Sequence, residues 1–453
     1  MSEILVLHGG TVVGEQEVFP HHDVIVCDGR IEAVLPSFSV EKAGEVECNN
    51  IADTSSFLSS PEIQNYLMMA ESIVDANIID VRGSYVLPGM IDIHSDYVET
   101  ISSPRPSVVM DFDNSLFNVE RELAGYGITT IFHSLSVYQA LIFDHKPIRN
   151  FENVTRLIEK VSDFGAREEH DHLIRHRLHL RFEVDSVGRY PEVKKYVQSG
   201  KVDLLSLMDH TPGQGQYANL EVFGNTLKGY RDLSDSEVEN IIKKQQKSSK
   251  LTLDQMKELA NIACSRGISL ASHDDDSNEK VALMKALGAS ISEFPITKEV
   301  AATARACGMH TLAGAPNVLM GHSHSGNMSA REAISEGLID VLCSDYYPAA
   351  MLASIFILHN HCGINLAEAV ALVSLNPAHA VNIDKDFGSI VPGKVADILV
   401  VKEARESLPV VVDAFVGGRR IYQTNYPNLG QGFDGGLGNS SYCETLEEKV
   451  RVM

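Results

Sequence analysis

Eight short apolar runs, each ending in polar residues, alternate with longer helical stretches between residues 86 and 385. In chain order the runs end in IDIHSD, TTIFHS, HLRFEV, LSLMDH, SLASHDD, ISEFP, TLAGAPN and VLCSD. A connection between parallel strands needs a crossover, usually a helix, so this alternation predicts a parallel sheet of the α/β class. Eight repeats predict a (β/α)8 TIM-type barrel, which carries its reactive groups at the carboxyl ends of its strands.

The two ends of the chain, residues 1–85 and 386–425, are instead rich in short β-forming runs. Asp28-Gly29 in the first end and Gly417-Gly418 in the second separate such runs, as hairpin turns do. An isolated hairpin is only marginally stable. We therefore expect both ends to join in one small β-sandwich domain, with the barrel inserted between them.

Two further segments are set apart by their composition. The run PEIQNYLMMAESIV from Pro61, with Ser59 and Glu62 spaced as a capping box, predicts a helical insertion at about 41–80. Residues 426–453 form a Gly-rich tail for which the sequence predicts no role.

Charge and cysteine usage restrict the partners and the compartment. The chain has 38 Lys and Arg against 61 Asp and Glu, a formal charge of −23. This balance disfavours nucleic acid and anionic membranes as partners, but a bound cation could still attract a small anionic substrate. The seven cysteines are scattered without a C-x-x-C pair, and the start has no signal-peptide pattern, so we expect a cytoplasmic protein with reduced thiols.

The first barrel run ends in His94-Ser95-Asp96. Residues two apart on a strand face the same side, so both side chains could reach one metal ion. An imidazole and a carboxylate suit a borderline divalent cation. A strand-end His bonded to a neighbouring Asp without metal is the alternative.

Four other ionisable residues also end apolar runs: Glu183, His210, His273 and Asp345. Burying such groups is costly unless they are paired. Together with His94 and Asp96 they would place three imidazoles and three carboxylates at one barrel mouth. One or two divalent cations would neutralise this set; zinc is the first expectation, with iron or manganese as alternatives. The competing interpretation is six separate polar residues satisfied by loops.

The segment VLPGMIDIHSD resembles the first-strand signature of the amidohydrolase superfamily. Within it, MDHTPGQ (208–214) and SHSGN (323–327) are more specific and resemble enzymes that release pyrophosphate from a ribose 5-triphosphate carrying an alkylphosphonate. The resemblance implies a metal-dependent hydrolase with activated water. The ligands that it implies are His94, Asp96, Glu183, His210, His273 and Asp345. It further implies that Glu183 bridges two ions and that Asp345 accepts the proton of the attacking water.

The resemblance also implies a small, phosphorylated substrate and, from related enzymes, a homo-oligomer. The candidate substrate-binding residues are Arg105, Asp274, His322, Ser323, His324 and Asn327. Arg105 could instead be a surface residue, Asp274 could orient His273 or lie on a solvated loop, and SHSGN could be an ordinary turn.

Two departures from the family pattern bear on the substrate. An Arg is expected after MDHTPGQ, where this chain has Gly215, and another before SHSGN, where it has Met320. Protonated His322 and His324 could replace these cations, or the substrate could carry less charge. The alternatives to phosphoanhydride hydrolysis are therefore hydrolysis of a C–N or C–O bond and, from another class, a non-catalytic barrel scaffold.

Other histidines have more ordinary interpretations. His133 is expected to be a satisfied core or rim residue. His170, His172, His176 and His179 precede or begin the third run and are expected on a His-rich helix surface rather than at a metal site.

Overall fold

The structure is a computed structural model. It describes residues 4–37, 39–41, 45–47, 77–138, 147–166, 171–215, 220–230, 233–323, 327–404 and 408–426. The predicted helix after Ser59 and the tail from residue 427 onward lie outside the described residues. The chain divides into two compact units, Met1–Gly89 with Lys385–Gly438, and Met90–Asp384 with Asn439–Met453.

The first unit contains one sheet built from both ends of the chain. Its described strands are β1 (Ile4–Val13), β2 (Val18–Cys27), β3 (Arg30–Pro36), β6 (Asn77–Asp80), β7 (Tyr85–Pro88), β16 (Ile398–Glu403), β17 (Pro409–Val416) and β18 (Arg419–Gln423). Their order is β18-β17-β16-β7-β1-β2-β3, with β6 also paired to β1. The antiparallel pair β7–β16 joins the two ends, and Leu7, Val86, Ile398 and Phe415 lie in the shared core. The prediction of a small β domain from both chain ends is confirmed.

Short described strands lie at the two ends of the predicted insertion, and the run predicted to be helical lies outside the described residues. Strands β4 (Ser39–Glu41) and β5 (Glu45–Glu47) pair antiparallel near its start, and β6 lies at its end. The alternating SVE and EVE sequences have the period of a strand.

The second unit contains the predicted parallel barrel, which is also confirmed. Its strands are β8 (Met90–Ser95), β9 (Ile128–Val137), β10 (Arg175–Glu183), β11 (Leu204–Met208), β12 (Ser269–His273), β13 (Ile291–Glu293), β14 (His310–Gly314) and β15 (Val341–Cys343). Each pairs with the next along the chain, and a parallel bridge between Ser95 and Asp345 links the last to the first. All ten residues of β9 are buried, as expected when both faces of a sheet are covered.

Helices separate these strands. In the described ranges they are α1 (Tyr97–Ser102), α2 (Phe112–Tyr126), α3 (Phe151–Ala166), α4 (Tyr190–Ser199), α5 (Leu220–Tyr230), α6 (Asp235–Gln246), α7 (Leu253–Ser265), α8 (Asn278–Ala286), α9 (Lys298–Ala306), α10 (Ala315–Met320), α11 (Ala330–Ser335), α12 (Ala349–Cys362), α13 (Leu366–Ala371) and α14 (Leu375–Ala380). Local sequence fixes several ends: Thr252 and Gln255 form a capping box on α7, and Gly127 ends α2 at φ 90°. Among the described helices, none has the length and apolar character that a membrane crossing requires.

Candidate metal centre at the barrel mouth

A first group of potential metal ligands lies where β8, β10 and β13 meet. One donor atom each of His94, His179 and Glu293 lies within 4.8 Å of the other two. His94 Nδ1 is 3.0 Å and His179 Nε2 is 3.5 Å from Glu293 Oε1. All three side chains are buried. Two imidazoles and a carboxylate match the ligand preference of a borderline divalent cation.

A second group lies at the ends of β11 and β12. The donor atoms of His210, His273 and Asp274 also lie within 4.8 Å of one another. Asp274 Oδ2 is 3.2 Å from His210 Nε2 and 3.3 Å from His273 Nδ1. Glu183 is the last residue of β10, and its Oε1 contacts His210 Nδ1. Its Oε2 accepts a hydrogen bond from the backbone N–H of His210 at 3.3 Å.

The two groups adjoin each other. The ring centroids of His94 and His273 are 5.4 Å apart, and those of His210 and His273 are 5.3 Å apart. His94 and His179 are separated by 4.9 Å. The mouth thus contains a continuous cluster of four imidazoles edged by carboxylates, which is enough donor capacity for more than one ion.

The electrostatics of the second group favour a cation. Burial alone would lower the pKa of His210, but Glu183 and Asp274 overcome it and raise that pKa to about 10. Burial alone would raise the pKa of Asp274, but His273 and His210 hold it well below its usual range. The carboxylates therefore stabilise positive charge between them, and the donor set fits the divalent ion that the predicted chemistry requires.

Asp345 follows β15 at the seam of the barrel, the place where its bridge to Ser95 links the last strand to the first. Its N–H donates to the His94 carbonyl at 3.0 Å, and its own carbonyl accepts the Asp96 N–H at 3.0 Å. It has a left-handed backbone with φ 56°. Burial and the carboxylate of Asp96 raise the pKa of Asp345 to about 7. A carboxyl group with this pKa can both accept and donate a proton near neutrality.

Asp96 is placed differently from the predicted His94/Asp96 pair. Strand β8 ends at Ser95, so its alternation does not extend to Asp96, which precedes α1 and makes no capping hydrogen bond through its side chain. Its Oδ2 accepts a hydrogen bond from Arg149 Nη2 at 3.2 Å, and Arg149 also binds Glu99 at 2.7 Å. Asp96 thus lies close enough to raise the pKa of Asp345 but has an arginine as its partner.

A second arginine, Arg181, lies inside the mouth. It is 8% exposed, and its Nη2 is 3.1 Å from His273 Nε2. Burial opposes its charge, but Tyr138 and Asp96 help to raise its pKa above the ordinary value. Arg181 and Arg149 therefore bring two permanent positive charges to this end of the barrel.

Sequence reasoning missed His179, Arg181, Glu293 and Arg149. The segment LHLRFE carried a signal, since its polar residues occupy every second position of a strand. Glu293 likewise ends ISE, as Glu183 ends its own run. Arg149 lies in a short helical turn, Pro147–Arg149, where no periodicity marks it.

The predicted substrate-binding residues are spread along the chain. Asp274 lies within the second ligand group, at φ 50°. Arg105 is exposed on the loop after α1, and His322 is exposed with Nδ1 3.1 Å from the Met320 carbonyl. Ser323 and Asn327 are half-buried, and His324 lies outside the described residues.

His172, His176 and His179 are not on a helix surface, contrary to expectation, and His170 lies outside the described residues. His172 and His176 are buried beside Glu120 of α2, and His179 belongs to the first ligand group. The strand begins at Arg175, so His176 and His179 lie on its two faces, and His172 lies just before it. His133 is buried, as expected, with Nε2 2.9 Å from His176 Nδ1.

Comparison with known proteins gives consistent matches. The amidohydrolase family model matches residues 233–421. The alpha-D-ribose 1-methylphosphonate 5-triphosphate diphosphatase of Escherichia coli (strain K12) is 33% identical over 83% of this chain and 97% of its own length. A probable imidazolonepropionase of Xenopus tropicalis is 25% identical over 73% of this chain and 76% of its own.

Solved structures share the fold. N-acetylglucosamine-6-phosphate deacetylase from Pasteurella multocida has a TM-score of 0.57 at 13% identity, covering 93% of this chain and 99% of its own. A putative prolidase from Bifidobacterium longum has a TM-score of 0.55 at 16% identity, covering 99% of both chains.

Proposed function

This chain belongs to the amidohydrolase family and is a metal-dependent hydrolase, and we propose that it cleaves a phosphoanhydride. The proposed substrate is a ribose 5-triphosphate that carries an alkylphosphonate. Water adds to the first phosphorus, the bond from that phosphorus to the bridging oxygen breaks, and pyrophosphate leaves. The observation that carries this proposal is the 33% identity between this chain and the alpha-D-ribose 1-methylphosphonate 5-triphosphate diphosphatase of Escherichia coli, which extends over 97% of that enzyme's length.

We propose that the two ligand groups hold one or two divalent ions, zinc in the first instance. His94, His179 and Glu293 would form one set; His210, His273 and Asp274 would form the other, with Glu183 beside it. A bound divalent ion would lower the pKa of its water towards about 7 and polarise a phosphoryl oxygen. Asp96 could serve as a ligand only if its carboxylate gave up the hydrogen bond to Arg149 and bound the ion instead.

Asp345 is the proposed proton carrier. Its carboxylate would take a proton from the attacking water and deliver one to the leaving group, as a general base and then a general acid. The raised pKa, about 7, supports this assignment because it lies near the expected operating pH. Its backbone bonds to His94 and Asp96 hold it at the seam.

Arg149 and Arg181 are the proposed contacts for the triphosphate. Their permanent charge offsets the absence of the two arginines that the family pattern places at Gly215 and before SHSGN. Hydrogen bonds between guanidinium and phosphate are charge-assisted and can be bidentate. In this scheme Ser323 and Asn327 would bind sugar or phosphate oxygens at the rim.

The test is product analysis with the purified, metal-loaded protein. We expect stoichiometric pyrophosphate from ribose 5-triphosphates and none from amides or lactones. The second candidate, hydrolysis of a C–N or C–O bond, is favoured by Gly215 and Met320 and by the likeness to an imidazolonepropionase. Turnover of such a substrate without pyrophosphate release from any triphosphate would establish that candidate instead.

A further inference from the structure

A third cluster of ligand-type side chains lies away from the mouth. Glu120 of α2, His172 before β10 and His176 within β10 are 3%, 5% and 3% exposed. His176 is three residues from His179, so the two point to opposite faces of the strand. Along the extended strand His176 lies three residues before His179, roughly 10 Å, and seven residues before Glu183, roughly 23 Å. The cluster is therefore separate from the metal centre at the mouth.

The distances within this cluster match metal coordination. Glu120 Oε2 is 3.3 Å from His176 Nε2 and 3.4 Å from His172 Nδ1, and the three donor atoms lie within 4.8 Å of one another. Tetrahedral zinc with nitrogen and oxygen ligands at about 2.0–2.1 Å places those ligands about 3.3–3.4 Å apart. Direct N–H···O hydrogen bonds are usually shorter, about 2.9–3.0 Å.

Neighbouring groups orient these side chains. His133 Nε2 is 2.9 Å from His176 Nδ1, the ring nitrogen that faces away from Glu120. Metal-binding imidazoles generally use their second nitrogen in this way. The Leu173 N–H donates to Glu120 Oε2 at 3.1 Å, and the ring of Phe164 stacks on His172 with centroids 4.4 Å apart.

The charge of the cluster is also unbalanced. In the described part of the chain, the groups at ion-pair distance from Glu120 are the two imidazoles, and no Lys or Arg joins them. A buried carboxylate is costly unless it is paired. A divalent cation would supply that partner and would use the two imidazoles in their neutral form.

We propose that Glu120, His172 and His176 bind a structural divalent cation of the zinc class, with water as the fourth ligand. The ion ties α2 and the segment before β10 to the wall of the barrel. Two imidazoles and one carboxylate select a borderline cation over calcium or magnesium, which prefer oxygen ligands. This site is independent of the reaction proposed for the mouth.

The test measures zinc per chain by mass spectrometry after loading with zinc chloride and removal of excess. We expect His172→Asn and Glu120→Gln each to hold one zinc fewer than wild type. A mouth variant that disables both ligand groups there, His94→Asn with His210→Asn and Asp274→Asn, should keep this ion, and X-ray absorption should then show nitrogen and oxygen ligands at about 2.0–2.1 Å. Zinc should raise the unfolding midpoint of the mouth variant, and adding His172→Asn to that variant should remove the increase.

His310→Asn is the matched control, because His310 also pairs with a carboxylate in the barrel unit, 2.8 Å from Asp340, and should leave the zinc content unchanged. Wild-type zinc content in both His172→Asn and Glu120→Gln would overturn the proposal. If these variants do not fold, the mouth variant alone decides: a loaded sample without bound zinc reduces the cluster to a hydrogen-bond network.

Discussion

Replacing Asp345 with Asn should stabilise the metal-free protein at alkaline pH while abolishing hydrolysis. Burial and Asp96 raise the pKa of Asp345 from 3.8 to about 7, so the folded protein opposes its ionisation. The unfolded chain ionises it near 3.8. Asp345 therefore does not lower the free energy of unfolding below about pH 4. Its destabilising effect grows between about pH 4 and pH 7 and is complete above about pH 7.

The shift sets an upper bound of about 4 kcal/mol on this cost, at 1.36 kcal/mol per pKa unit. The side chain is partly exposed, and screening by water reduces the expected gain to roughly 2 kcal/mol at pH 8. Asn is the suitable replacement, because it removes the charge, keeps the shape and tolerates the left-handed φ of 56°. A bound divalent ion would neutralise the carboxylate and remove the gain.

The assay is denaturant unfolding of wild type and Asp345→Asn, with chelator, at pH 5 and pH 8. The gain in free energy of unfolding should be large at pH 8 and small at pH 5. The control is Asp163→Asn, because Asp163 is an exposed carboxylate of α3 and its replacement also removes one charge from a net acidic chain. An equal effect of both substitutions, or a gain that is independent of pH, would refute the reasoning.

Three other predictions concern the mouth. Dialysis against a chelator should abolish pyrophosphate release, and zinc, iron or manganese should restore it; undiminished activity in fully metal-free protein would contradict the ligand assignment. Arg181→Met should raise KM for the triphosphate at least about tenfold, because hydrogen bonds to charged groups contribute about 1.5–3 kcal/mol. Arg181→Lys should have a KM between those of wild type and Arg181→Met. Steady-state kinetics would show an unchanged KM if the arginine only supports His273. Glu183→Gln should lower the pKa of His210 from about 10 in the metal-free protein, which an NMR titration of the imidazole measures; a titration midpoint equal to that of wild type would exclude Glu183 as a cause.

The barrel was predictable because each strand alternates with a helix and is buried on both faces. Such strands are short apolar runs, and the polar residues that interrupt their ends stand out against them. The same contrast marked His210 and His273, which the structure brings together. It also marked Asp345, whose backbone bridges the seam.

Partners in space were harder to predict than positions in the chain. Nothing local shows that Arg149 reaches Asp96, 53 residues away, because the contact joins segments that are far apart in the chain. His176 was misassigned for a related reason. A strand with polar residues on both faces has no clean period, and only the position of Glu120 on α2 shows what the outward face contacts.

Gly215 shows why the cations come from other parts of the fold. Its φ is 54°, and a Cβ there would lie 3.3 Å from both the Cβ and the carbonyl oxygen of Asp274. A longer side chain would be strained and would press on a residue that binds His210 and His273. We therefore expect Gly215→Arg to lower kcat rather than improve binding of the triphosphate, with Gly215→Ala giving a smaller loss of the same kind. A fall in KM for Gly215→Arg with kcat retained would instead place position 215 beside the phosphates, and Arg149 and Arg181 would then lose their assigned role.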